Sequence, residues 1–293
     1  MTGVNLHLND SLGSLFIGVL FAVLLYGAEC AQVLYYLRAY PDDSLSIKAL
    51  VMFLWTLETA RTILDLIAEW YYLIQNHANV AALELLPIAF LQAEFFLNSL
   101  MVLIAQSFFI HSIWRLLGIE NRWYRWPIVV TVSSLALLSF TGGCGAVWKA
   151  HQHHGVMNEV LRSVEFPVSV ALVTAVVTDI YITVSLCLTL RAHRTGFVRS
   201  DTLISMILLF AIQRGIFTAL IQTLFFLTYV CTLKQELLVW MVFHFPAGKV
   251  YVNSLLVMLN ARRYIGQGGS DGALGFRLTD LPLDRSPHNG LSQ

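Results

Sequence analysis

Four charged side chains share one face of a long apolar stretch. Residues 47–72 contain Glu58, Arg61, Asp65 and Glu69, at spacings of three, four and four. At about 100° per residue on a helix, all four fall within an arc of about 80°. Neighbours at these spacings can form ion pairs within their own helix. Facing a cavity, the same groups could instead bind a ligand or pass a proton.

Composition places this stretch in a membrane protein. Hydrophobic residues make up 57% of the 293, charged residues only 12%, and the mean hydropathy is +0.68. A soluble domain carries about 25% charged residues. Because a charge facing lipid costs at least about 2.5–3.5 kcal/mol, other helices must cover the charged stripe. No Lys/Arg-rich cluster occurs, so we expect no nucleic-acid partner.

Seven apolar stretches are long enough to span a bilayer, which takes about 20 residues in a helix. They cover residues 14–37, 47–72, 85–115, 126–148, 165–190, 202–230 and 237–261. Trp and Tyr recur near their ends, as expected for an interfacial belt. We therefore predict an all-α seven-transmembrane-helix bundle over residues 14–264, preceded by a short extracellular segment, 1–13. Residues 265–293 are rich in Gly, Ser, Asp and Pro and are predicted to form a disordered cytosolic tail.

The distribution of Lys and Arg predicts the orientation of the bundle. One set of span ends carries Arg38, Lys48, Arg115, Arg122, Arg125, Arg191, Arg194, Arg199, Arg262 and Arg263. The other set carries only Lys149, Arg162 and Lys234. Basic loops favour the cytosol, so we expect the N-terminus outside and the C-terminus in the cytosol, in the plasma membrane or an endomembrane.

Further charges fall inside other predicted spans. Asp179, Arg214 and Lys249 lie at a depth similar to that of Glu58 and Arg61, and Glu29 lies in the first span. We predict one intramembrane polar cluster that joins helices two, five, six and seven around Arg61. Its members are Glu58, Arg61, Asp65, Asp179, Arg214 and Lys249. Glu69 and Glu94 are expected at the wet outer interface. Fixed ion pairs, a ligand or sensing cavity, and an ion or proton path all remain open for the cluster.

Cysteine and histidine suggest little further chemistry. Cys144 and Cys231 fall near the outer ends of their spans, so a disulfide between them is possible on an oxidising side. A cluster at His151, His153 and His154 is interpreted as a solvated loop rather than a metal site. Within the spans only His244 and His111 could serve a haem, so no metal or cofactor is predicted.

Three stretches resemble a known family. They are YGAECAQVLYYLRAYPDDSLSIKALV, DIYITVSLCLTLRAHRTGFVRSDTLISMILLFAIQRGIFTALIQ and KVYVNSLLVMLNAR. Together they resemble a large, mostly basidiomycete fungal family of seven-helix membrane proteins that is classed as a domain of unknown function. The resemblance implies the seven-helix fold and a fungal origin, and it supplies no catalytic residues. Two positions depart from the family pattern, which has His in place of Arg61 and an uncharged residue in place of Arg214.

Three functions remain open at this stage. A receptor-like or sensor protein fits seven helices with short loops and a basic cytosolic face, although no NPxxY-type ending of a class A G-protein-coupled receptor is present. A membrane scaffold or subunit would use the buried charges only as structural ion pairs. A small-molecule or proton-coupled transporter lacks the expected inverted repeat. No nucleophile–base pair or metal set indicates an enzyme. The expected partners are the lipid bilayer and, for a receptor, a small-molecule ligand.

Overall fold

The computed structural model describes residues 11–76, 88–117, 122–152, 157–192, 198–232 and 237–267. These residues form seven α-helices and, within the described ranges, no strand, so the all-α prediction is confirmed. The helices are α1 (Leu12–Ala39), α2 (Leu45–Trp70), α3 (Ile88–Leu116), α4 (Arg122–Gln152), α5 (Met157–Ala192), α6 (Val198–Thr232) and α7 (Met241–Gln267). A π-helical turn, Tyr71–Gln75, continues α2. The predicted segments 1–13 and 265–293 lie almost wholly outside the described residues.

Helices that follow one another in the chain alternate in direction. Between α1 and α2, Tyr26 bonds Thr59 while Cys30 lies against Trp55, which is an antiparallel order. Between α1 and α7 the order is parallel, because Gln32 bonds Asn253 and Tyr40 bonds the Asn260 carbonyl. Contacts among the other helices fit the same arrangement, in which consecutive helices are antiparallel. Helices α1, α3, α5 and α7 therefore begin at one end of the bundle, the first end, and α2, α4 and α6 begin at the second end.

Small residues let α4 pack closely on both its neighbours. A Cβ at Gly142 would lie 3.0 Å from the backbone nitrogen of Ala171 on α5. A Cβ at Gly143 would overlap the Ser99 side chain on α3. Small residues at helix interfaces allow backbones to approach without a hydrophobic driving force, and here they hold α4 between α3 and α5.

The outside of the bundle is apolar. Leu24, Leu188 and Phe217 are 61%, 63% and 63% exposed. Six helices are long and apolar enough to cross a membrane by length and composition, namely all but α2. Helix α2 differs because Glu58, Arg61 and Asp65 lie within its length. Exposed apolar surface on this scale is unusual for a soluble monomer and indicates an integral, multi-pass membrane protein.

Two apolar cores fill the interior. One lies toward the first end and includes Phe225, Trp240 and Phe245. The other lies toward the second end and includes Leu54, Phe109 and Leu255. On α2 and α7, the charged side chains fall between residues of the two cores. Apolar residues therefore flank these charges along both helices.

The possible disulfide between Cys144 and Cys231 is not formed. Both residues, like Cys30 and Cys187, are free thiols. Helices α4 and α6 each pack on α5 rather than on one another. The sequence placed both thiols near the same end but could not show that α5 separates their helices.

Candidate functional site

Helix α2 turns its charged face into the bundle. Glu58 and Arg61 are fully buried and Asp65 is 1% exposed. On the opposite face, Phe53, Ile63 and Leu66 are 50%, 53% and 47% exposed. This is the arrangement that a one-sided charged stripe on an apolar helix produces when lipid penalises charge.

Arg61 ties α2 to both α3 and α7. Its Nε donates to Glu94 Oε1 at 2.7 Å. Its Nη2 donates to the carbonyl oxygens of Phe245 at 3.1 Å and His244 at 3.3 Å. Its Nη1 lies 3.9 Å from Glu58 Oε1 within the same helix. One guanidinium thus contacts two carboxylates and the backbone of α7, which the planar fork of arginine donors allows.

The backbone of α7 leaves room for this guanidinium. Pro246 has no N–H, so the Val242 carbonyl loses its usual partner and the turn is loosened. At Gly248, an added Cβ would overlap both Arg61 Nη1 and Asn98 Oδ1. Only a residue without a side chain can occupy this position while Arg61 stays in place.

Glu94 and His244 complete this part of the site. Glu94 was expected at the wet interface, and this expectation was wrong, because its side chain is 2% exposed. His244 Nε2 donates to Glu94 Oε2 at 2.7 Å, since a carboxylate can only accept. The His244 ring also stacks on Phe95 with centroids 4.3 Å apart. Glu94 and Asn98, four residues apart on one face of α3, were the sequence signal for this buried polar face.

Lys249 joins α7 to α2 about one helical turn closer to the second end of the bundle than Arg61 does. Its Nζ donates to Glu58 Oε2 at 2.9 Å and to Thr62 Oγ1 at 2.8 Å. Asp65 Oδ2 is farther away, at 3.9 Å. We call Glu58, Arg61, Asp65, Glu94, His244 and Lys249 the α2–α3–α7 network. Glu29 of α1 is also fully buried, and neither of its carboxyl oxygens has a hydrogen-bond partner among the described residues.

Asp179 and Arg214 form a second, separate group. Arg214 Nη2 donates to Asp179 Oδ1 at 3.1 Å, and Gln106 Nε2 donates to the same oxygen at 3.3 Å. The Tyr251 hydroxyl donates to Asp179 Oδ2. The guanidinium carbon of Arg214 lies 3.9 Å from the centroid of the Phe109 ring, within the range of a cation–π interaction. We call Asp179 and Arg214 the α5–α6 pair, and Gln106, Phe109 and Tyr251 are the residues that contact it.

The predicted single cluster is therefore divided in two. Glu58, Arg61, Asp65 and Lys249 belong to the α2–α3–α7 network, and Asp179 and Arg214 belong to the other group. Helix α2 packs on α1, α3 and α7, whereas α5 and α6 pack on the far side of α3 and α7. Similar depth in the membrane placed the charges in one layer without making them neighbours.

One cavity adjoins the α2–α3–α7 network, and a second lies beside the same part of α3. The first cavity lies between α1, α2, α3 and α7, and Asp65, Glu94 and Tyr72 are its polar lining residues. The second cavity lies between α3, α4, α5 and α6, and Asn98 and Gln222 contribute polar groups to it. Among the described residues, Asn98 Oδ1 and Gln222 Oε1 have no hydrogen-bond partner. Asp65 and Glu94 therefore border unfilled space as well as other charged residues.

A π-helical turn lies beside the first cavity. Tyr72, within Tyr71–Gln75, is buried and lines the cavity, and its hydroxyl has no hydrogen-bond partner in the described part of the chain. π-Helical turns are rare and occur often at functional sites. The extra residue in the turn changes the direction in which the end of α2 presents its side chains.

No group of three or more His, Cys, Asp or Glu side chains suited to a metal ion occurs among the described residues. His151 is described, at the end of α4. The other histidines of the predicted solvated loop, His153 and His154, lie outside the described residues.

Comparison with known proteins supports the resemblance to a family of unknown function. The model of the family of unknown function DUF6534 matches residues 175–264. This region covers the second part of α5, all of α6 and most of α7, so it holds Asp179, Arg214, His244 and Lys249. Helices α2 and α3 lie outside the match. No curated protein and no solved structure matches the chain.

Proposed function

We propose that the chain spans the membrane seven times, with its N-terminus outside. Helix α2 then crosses the membrane in addition to the six more apolar helices. The buried charges and apolar outer face of α2 support this. The described basic residues support the orientation, since Arg38, Lys48, Arg115, Arg125 and Arg191 lie near the second end of the bundle and only Lys149 and Arg162 lie near the first. By the positive-inside rule the second end faces the cytosol.

We further propose that the protein is a receptor-like or sensor protein with a ligand cavity inside the membrane. One observation carries this proposal: the α2–α3–α7 network is incomplete where it meets the first cavity, because neither oxygen of the Asp65 carboxylate has a hydrogen-bond partner among the described residues. A scaffold needs only fixed pairs, such as the bonded Asp179 and Arg214. A buried carboxylate without hydrogen bonds is costly, so its presence beside a cavity favours binding.

Cysteine labelling tests whether this cavity is reached from outside. In a chain carrying Cys30→Ala, Cys144→Ala, Cys187→Ala and Cys231→Ala, the single substitution Ala68→Cys puts a thiol on the cavity wall. We expect a membrane-impermeant methanethiosulfonate to label it in sealed vesicles from the side of the first end of the bundle. The rate should exceed that of Leu66→Cys by at least about tenfold, because the lipid-facing thiol meets little water.

Leu66→Cys is the matched control, since Leu66 is on the same helix but is 47% exposed on its outer face. Equal, slow labelling at both positions would contradict the cavity and favour a scaffold. Fast labelling of Ala68→Cys only from the opposite side would contradict the proposed orientation.

A further inference from the structure

The cavity beside Asp65 has the chemical features of a binding site for a cation. It lies near the first end, where Leu15, Phe90 and Met241 are within a turn of the start of their helices. Its wall is mostly aliphatic and aromatic, with Phe90 and Phe245 among the rings. Asp65, Glu94 and the Tyr72 hydroxyl are the polar groups that line it.

Asp65 is the carboxylate of the network with the weakest pairing. It is 1% exposed, and neither of its oxygens has a hydrogen bond in the described residues. Its nearest cation is Lys249, at 3.9 Å, and that ammonium is already bonded to Glu58 at 2.9 Å. Tyr72 adds a buried hydroxyl oxygen that has no hydrogen-bond partner within the described ranges.

With His244 neutral, the network has one more negative charge than positive charges. Three carboxylates, Glu58, Asp65 and Glu94, face two permanent cations, Arg61 and Lys249. Arg61 is bonded to Glu94 at 2.7 Å and Lys249 to Glu58 at 2.9 Å. His244 donates to Glu94, and it can do so as a neutral imidazole. Among the described residues, Asp65 therefore has only the 3.9 Å ion pair with Lys249, a cation that it shares with Glu58.

We propose that this cavity binds an organic ammonium group, with Asp65 as its counter-ion and Tyr72 as a second acceptor. The proposal rests on the proposed ligand cavity and names the chemical class of ligand. An inorganic cation such as Ca²⁺ or Mg²⁺ takes about six or more oxygens, whereas this wall is largely apolar. Aromatic and aliphatic side chains instead suit the carbon skeleton of an amine, and ring faces attract ammonium groups.

Thermal melting of the full-length protein in neutral-lipid nanodiscs tests the assignment. The probes are 2-phenylethylamine and n-butylamine at pH 7, and the neutral controls are 2-phenylethanol and n-butanol. We expect at least one amine to give a saturable rise in Tm of about 2–4 °C, and neither alcohol to do so. Asp65→Asn should abolish the rise. Glu69→Gln, one turn farther along α2 and only half-buried, should retain it.

A second variant keeps the test decisive if Asp65→Asn fails to fold. Ala68→Leu leaves every charge in place and fills part of the cavity, so it should also remove the rise. The assignment is overturned if no amine raises Tm, if an alcohol or NaCl gives an equal rise, or if Ala68→Leu responds like the unmodified chain. If no amine binds but Ala68→Cys is still labelled, the cavity stands and only the class of ligand is wrong.

Discussion

Replacing Arg61 by methionine is expected to lower the free energy of unfolding by about 3–5 kcal/mol at neutral pH, the usual cost of breaking a buried ion pair. The substitution removes the 2.7 Å bond to Glu94 and the bonds to the α7 carbonyls. It also leaves Glu58 with Lys249 as its only described cation. Denaturant or thermal unfolding in one fixed detergent measures the change.

The pH dependence separates lost pairing from lost packing. Carboxylates that lose Arg61 can take up protons instead of remaining charged, so the loss should shrink as the pH falls from 7 to 5. Arg162→Met is the matched control, because Arg162 is exposed, and we expect a change within about 0.5 kcal/mol. An Arg61→Met variant as stable as this control would show that the network contributes little.

Replacing Asp179 by leucine is expected to cost a similar amount, about 3–5 kcal/mol. Arg214 is 4% exposed, and its Nε and Nη1 already lack partners in the described residues, so it would lose its only carboxylate. Adding Arg214→Met should recover most of the loss, because the double variant buries no unpaired charge. Unfolding measurements on the two single variants and the double variant test this.

The two groups should also behave independently. No residue of the α5–α6 pair shares an ion pair with the α2–α3–α7 network. The milder variants Glu94→Gln and Asp179→Asn should therefore combine additively to within about 0.5 kcal/mol. A coupling energy above about 1 kcal/mol would support the single cluster that the sequence predicted.

Periodicity predicted the features that depend on one helix alone. The spacing of Glu58, Arg61 and Asp65 indicated a single charged face, and that face is buried. Apolar length predicted where each helix lies, because a span needs about 20 residues.

Features that depend on which helices are neighbours could not be read in the same way. Depth grouped Asp179 and Arg214 with Arg61, although α3 and α7 separate α2 from α5 and α6. Counting from the helix end placed Glu94 at the interface, but the Arg61 guanidinium and the His244 imidazole compensate its burial. The cavity at Asp65 depends on four helices and a π-helical turn together, and no local pattern encodes it.

The central claim is that α2 crosses the membrane with its charges turned inward, and the sidedness of the two chain ends tests it most directly. Six helices qualify as spans by apolarity alone, and α2 would make seven. A reporter tag before Ser14 and another after Arg263 should therefore lie on opposite sides, the first outside and the second in the cytosol. Both tags on the same side would mean an even number of spans and would contradict the claim.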